Sequence, residues 1–137
     1  MKSKRVVLDT NLWIYFLISK ELSELDELLD EKKVTLLFSE ESLNEFIAVS
    51  KRPKFQSYFT DKKVTELFRM FEKYGELVKI VRKVQICRDK NDDFLINLAL
   101  SGKANYLVSG DADLLVIGQV EGIQILPWRE FIAEITR

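Results

Sequence analysis

From residue 6 to residue 126 the chain repeats one local pattern: a short run of β-prone apolar residues, a polar break, then a stretch with helical spacing. The apolar runs fall at 6–8, 34–38, 77–84, 106–108 and 123–126, and each is short enough to be a strand. Helices are predicted between them. The first covers 12–18, with Thr10 or Asn11 as its cap. A second covers 19–31, with Leu22, Leu25, Leu28 and Leu29 on one face. Ser39 caps a third, striped by Leu43, Phe46 and Ile47 and stopped at Arg52-Pro53, because the residue before proline disfavours the helical region. Phe55, Tyr58 and Phe59 form a short turn, and Thr60 caps a helix carrying Val64, Leu67, Phe68 and Phe71 that closes at Gly75. Further helical stretches cover 94–101, a turn at Leu114-Leu115, and the segment from Pro127 to Ile135. Strands alternating with helices predict a three-layer α/β/α sandwich around a central parallel sheet of about five strands, in a single domain over residues 1–137.

Composition narrows the chemistry. The 137 residues contain no histidine, which removes the usual general base, the Ser-His-Asp triad and histidine-ligated metals. Cys87 is alone, so neither an internal disulfide nor a thiolate zinc site is available. A formal net charge of −1 gives no global positive field, and any polyanion must be held by local patches. No apolar run reaches the roughly 17–25 residues that cross a bilayer. The basic start Lys2-Ser3-Lys4-Arg5 is followed by three apolar residues before Asp9, too few for a signal peptide. A cytoplasmic protein with no membrane partner is expected.

What remains is carboxylates. Asp9 directly follows Val6-Val7-Leu8, at the tip of the first strand, where open α/β sheets place their ligands. Asp111 follows the fourth strand through Ser109-Gly110. Asp92 shares a helical face with Leu95, Ile96 and Ala99, and Glu45 lies beside the apolar stripe of Leu43, Phe46 and Ile47. If the sheet is parallel, all four meet at its carboxyl edge. Two carboxylates at about 4 Å repel by about 4 kcal/mol at moderate effective dielectric, so such a group holds a cation or raised pKa values. Oxygen-only ligands select Mg²⁺ or Mn²⁺, which can activate a water and offset charge on a phosphodiester. Each acid also has an ordinary reading: Asp92 and Asp111 as helix-start carboxylates, Glu45 as a solvated helix acid. Asp89, Asp93 and Asp113 are expected near the site but facing solvent, with Asp113 as the reserve ligand.

The ordered motifs resemble the PIN-domain family, in particular its bacterial and archaeal VapC-like toxin group. Val7-Leu8-Asp9-Thr10-Asn11 resembles the opening apolar-D-T-N motif, and Glu45-Phe46 before Lys51-Arg52-Pro53-Lys54-Phe55 resembles its E-hydrophobic and R-P-K-F segments. Asp89-Lys90-Asn91-Asp92-Asp93-Phe94-Leu95 is similar to D-P-x-D-D-x-L, with Lys90 in place of proline. Tyr106 to Asp111 is similar to a strand ending in T/S-G-D, with serine at 109, and Pro127 with Phe131 resembles the closing P-x-x-F. The resemblance implies a metal-dependent endoribonuclease cutting single-stranded RNA, with Asp9, Glu45, Asp92 and Asp111 as catalytic metal ligands. Thr10, Asn11 and Ser109 would support them, and Asp93 or Asp113 would stand in reserve. Taking Asp92 rather than Asp93 rests on its helical face and its spacing to Ala99. The resemblance also implies a homodimer and an antitoxin protein as partners.

Lys51, Arg52 and Lys54 form one basic cluster, and Arg82, Lys83, Arg88 and Lys90 another; either could hold phosphates or be solvated loop. Trp13, Tyr15 and Phe16 read as core. Two other functions compete. One is a catalytically silent PIN-like module that binds or regulates. The other is a phosphotransfer protein built on Asp9, for which Asn11 stands where a second acid is needed.

Overall fold

The computed structural model describes residues 3–19, 27–28, 30–57 and 59–136, without the side chains of 16–19. The expected helix over 19–31 lies mainly outside these residues, as do Tyr58 and the side chain of Phe16. Along the chain run β1 (Lys4–Leu8), α1 (Thr10–Ser19), β2 (Val34–Phe38), α2 (Glu40–Ser50), a 3₁₀ turn (Pro53–Phe55) and α3 (Asp61–Tyr74). Then follow β3 (Gly75–Leu77), α4 (Lys90–Ser101), β4 (Tyr106–Val108), α5 (Ala112–Ile117), β5 (Gln119–Val120), β6 (Ile123–Leu126) and α6 (Trp128–Ile135).

Among the described residues the strands form one sheet in the order β3-β2-β1-β4-β6-β5. Every pairing is parallel except β5 with β6. Successive side chains enter opposite layers, as strand geometry demands. Val6, Leu8, Leu36, Val108 and Leu126 pack with Trp13, Phe46, Leu67, Phe71 and Phe131 on one face. Val7, Leu37, Leu107 and Ile125 pack with Leu95, Ile96, Leu98, Ala99 and Leu114 on the other. The three-layer sandwich is therefore the alternation of the sequence carried into space. No described helix is long and apolar enough to cross a membrane.

The sequence reading needs correcting at several places. The sheet has a sixth strand, β5, which pairs antiparallel with β6 through a two-residue turn at Glu121 (φ 47°) and Gly122 (φ 87°). Helix α1 begins at Thr10, and its cap is Asp9 itself: Asp9 Oδ1 accepts from Asn11 N–H at 3.1 Å. Helix α4 begins at Lys90, capped by Asp89, so Asp92 and Asp93 lie within its first turn. Tyr15 is half-exposed, whereas Trp13 is core.

A further correction concerns the expected strand over 77–84. Its ladder ends at Leu77, because residues 81–87 run along α4 instead of along the sheet. Three polar side chains of α4, four residues apart, take up the backbone N–H groups of this strap. Ser101 Oγ accepts from Val81 (3.0 Å) and Arg82 (3.1 Å). Asn97 Oδ1 accepts from Val84 at 2.7 Å, and Asp93 Oδ1 accepts from Ile86 (2.9 Å) and Cys87 (2.8 Å). Asp93 is thus buried and internally bonded, not turned to solvent.

Removing one acceptor from this ladder should free the strap locally. For Asn97→Ala we expect a loss of about 1–3 kcal/mol and faster amide hydrogen exchange confined to residues 81–87. Uniform acceleration across the sheet, or none, would sink the strap assignment.

Candidate metal and nucleic-acid site

Parallel pairing brings β1 and β4 to the same level, with Leu8 opposite Val108. The residues after them are tied directly: Asp9 N–H donates to the Val108 carbonyl at 3.0 Å, and Ser109 Oγ donates to Asp9 Oδ2 at 2.8 Å. Ser109 is fully buried, and its Oγ also accepts from Asp111 N–H at 3.0 Å. One hydroxyl therefore sets the spacing between the first and fourth strand ends. Asp111 then caps α5, its Oδ1 accepting from Asp113 N–H at 2.8 Å.

Above these strand ends lies a cavity of about 230 Å³, lined by Asp9, Thr10, Asn11, Glu45, Arg52, Asp89, Asn91, Asp92 and Asp111 among others. All four acids singled out from the sequence open onto it. Helix α2 delivers Glu45; a reciprocal pair of Ser39 and Ser42 bonds fixes its start, and Phe46 is buried beside the site residue. Helix α4 delivers Asp92. Lys90 is the first residue of that helix, where a backbone N–H has no helical partner, so lysine fits the place where the motif has proline.

The electrostatics are those of crowded carboxylates. Burial pushes the Asp92 carboxyl up to about 6, and the charges of Asp111, Asp89 and Asp9 add to it. Glu45 is raised by burial and by Asp9; Arg52 and a hydrogen bond with Thr10 partly offset this. Asp93 goes the other way, held below the usual range by the N–H groups of Cys87 and Ile86. The Cys87 thiol is pushed up to about 11 by burial and by its bond to Asp93, so on its own it stays protonated at neutral pH.

Whether these residues fit a cation can be judged from one atom. Asp92 Oδ2 is buried and has no hydrogen-bond partner among the described residues. An orphaned carboxylate oxygen of this kind is costly unless something positive meets it. Oxygens of Asp92, Asp111 and Asp113 lie within 4.8 Å of one another. Asp9 and Glu45 line the same cavity but fall outside that tight group. Asp113 is in the group but does not line the cavity, and its Oδ1 accepts from Arg88 Nη2 at 2.8 Å. A set made only of carboxylate oxygens suits a hard divalent ion.

Among residues not singled out from the sequence, Asn97 and Ser101 position the strap and Asn91 lines the cavity; Asp89, expected near the site, lines it too and is exposed. The signal for the first two was present: polar residues four apart, in step with Asp93, on a helix otherwise rich in core residues.

A family model for the PIN domain matches residues 5–113. The chain belongs to the PIN-domain family. It is 27% identical over 114 residues to the uncharacterized protein MJ1680 of Methanocaldococcus jannaschii, spanning 81% of this chain and 73% of that protein. Solved structures share the fold. A chain of VapBC2 from Rickettsia felis, solved bound to a DNA fragment from their promoter, is 19% identical with a TM-score of 0.59, covering 90% of this chain and 98% of that one. PAE2754 from Pyrobaculum aerophilum is 12% identical with a TM-score of 0.57, covering 98% of this chain and 90% of that one.

Asp92 gives a signed pH prediction. A carboxyl raised in the folded state binds more protons there than in the unfolded chain, so its contribution to stability falls as pH rises from about 4 through about 6. Asp93 contributes with the opposite sign, which is why the comparison must be between variants. In EDTA, Asp92→Asn should be more stable than wild type by up to about 3 kcal/mol at neutral pH, with the gap narrowing towards about pH 4.5. Thermal melts at both pH values check this; a gap that is constant with pH would refute the shift.

Proposed function

We propose that this protein is a Mg²⁺- or Mn²⁺-dependent ribonuclease that cuts single-stranded RNA, with residues 1–137 working as one PIN-like domain. The observation that carries this reading is the orphaned Asp92 oxygen in a cavity walled by carboxylates from β1, α2, α4 and α5. PIN domains are generally nucleases, and the chain belongs to that family.

Asp9, Asp92 and Asp111 would hold the ion, with Glu45 completing the set and Asp113 available behind Asp111. The ion supplies Lewis acidity at the phosphodiester and a lowered pKa for an attacking water. This chain's residues do the rest. Ser109 and the Asn11 N–H hold both oxygens of Asp9 in place. Glu45, raised by its surroundings, is suited to take the proton that water releases. The water oxygen bonds to phosphorus, one ester P–O bond breaks, and the leaving oxygen takes a proton from solvent. The absence of histidine is no obstacle to this route, since carboxylates would both hold the ion and take the water's proton.

We further propose a place in a toxin–antitoxin pair, with an antitoxin protein as partner, in keeping with the fold shared with VapBC2; a homodimer as the working state is proposed on the family resemblance alone. The protein would act in the cytoplasm, where its RNA substrate is found.

Mixed-sequence single-stranded RNA incubated with Mg²⁺, Mn²⁺ or EDTA tests the reading. Wild type should cut only with metal, and Asp9→Asn should lose at least about a hundredfold in rate while keeping its melting temperature within a few degrees. Cutting that persists in EDTA or in the Asp9 variant would refute the assignment. Metal binding without turnover would favour the silent module.

A further inference from the structure

The cavity has a difficulty that its carboxylates cannot resolve: it must admit a polyanion. Among the described residues lining it, Arg52 is the one cation. We propose that Arg52 seats the substrate, its guanidinium gripping phosphate oxygens of the RNA backbone beside the scissile bond. This assignment rests on the nuclease reading above.

The structure separates the two basic clusters of the sequence. In the second, Arg82 is bound to Glu121 through two bonds of 2.9 and 2.8 Å, and Arg88 is bound to Asp113. Arg5, outside both clusters, is bound to Glu76. Arg52 forms no ion pair among the described residues, although it is close enough to Glu45 for its charge to be felt there. Its planar fork of donors is therefore available, and two parallel bonds to a phosphate are what such a fork makes best.

Arg52 is also held where this role needs it. It follows the C-terminal end of α2, and its side chain lines the same cavity as Glu45. Pro53 follows it, fixing Arg52 in an extended conformation (φ −64°, ψ 139°) just past the helix. Its N–H donates to the Val49 carbonyl at 3.1 Å, and its own carbonyl accepts from Phe55 N–H at 2.9 Å. Phe55 is anchored in turn by edge contact with Phe59, which meets Phe46 of α2, each pair of ring centroids 5.8 Å apart. The backbone is pinned from both sides while the side chain is exposed at the cavity rim. Lys51 and Lys54, its neighbours in sequence, are also exposed.

The test is binding, read apart from turnover. Fluorescein-labelled mixed-sequence single-stranded RNA is titrated by anisotropy in Ca²⁺, with its integrity checked on a gel. Arg52→Ala should raise Kd by about tenfold and flatten the log–log salt dependence by about 0.7, the release expected for one phosphate contact. Arg52→Lys, a point charge, should recover part of the affinity and Arg52→Gln none. Mn²⁺ affinity by calorimetry should stay within about twofold in all three variants, and their melting temperatures should match wild type, since the side chain is exposed. Unchanged Kd and salt slope in Arg52→Ala would overturn the proposal, and so would a loss of Mn²⁺ affinity alone, which would make Arg52 a partner of Glu45 only. Wild type that binds no RNA would bring down the nuclease reading itself, a different failure from an Arg52 variant that binds normally.

Discussion

Parallel pairing of β1 with β4 is the constraint on which the rest of this molecule depends. It sets Leu8 level with Val108, and only at that level can Asp9 N–H reach the Val108 carbonyl and Ser109 Oγ reach Asp9. The register is enforced from both sides of the sheet. Val6, Leu8 and Val108 serve one layer, and Val7 and Leu107 the other, all of them essentially withdrawn from water. A slip of one residue would exchange the layers for every side chain at once. The acids are thus brought together by burial of their apolar neighbours, not by any attraction among themselves.

That division explains how a repulsive cluster persists in a stable fold. Holding Asp92 with its pKa near 6 costs at most about 3 kcal/mol, and full burial of two side chains such as Leu107 and Val108 contributes about as much. The remaining strain is concentrated at one oxygen, Asp92 Oδ2, rather than spread over the edge. Asp9 is relieved by Ser109 and the Asn11 N–H, Asp111 by the Asp113 N–H, and Asp113 by Arg88. Local hydrogen bonds meet Asp9, Asp111 and Asp113, and leave without a partner one oxygen of Asp92, where a cation would be expected to bind.

Much of this was legible in the sequence, for a physical reason. Strands buried on both faces are continuous apolar runs, so β1, β2, β4 and β6 announce themselves, and a carboxylate immediately after such a run is placed by chain geometry alone. The illegible parts lack a local signal. Strand β5 has two residues, and its turn is Glu-Gly rather than the Asn-Gly or Asp-Gly that marks a tight hairpin. The alternation of 77–84 is real, but which surface an extended segment uses for its N–H groups depends on partners far along the chain. Arg88 and Arg52 look alike as sequence, and only the fold shows that Asp113 occupies one and not the other.

Helix α4 shows how closely structural and chemical duties can be set. Asp92 and Asp93 are neighbours in sequence, about 100° apart around the helix, and both are buried. Asp93 joins Asn97 and Ser101 in a row that receives five backbone N–H groups of the strap, and its pKa falls. Asp92 joins the cavity, with one oxygen unmet, and its pKa rises. The strap's hold on Asp93 fixes the rotation of the helix start, and with it the direction in which Asp92 points. Two acids of one type, one residue apart, are thereby driven to opposite protonation behaviour by what each face of a single turn meets. The acid that the strap holds, Asp93, is what keeps the acid at the cavity, Asp92, aimed.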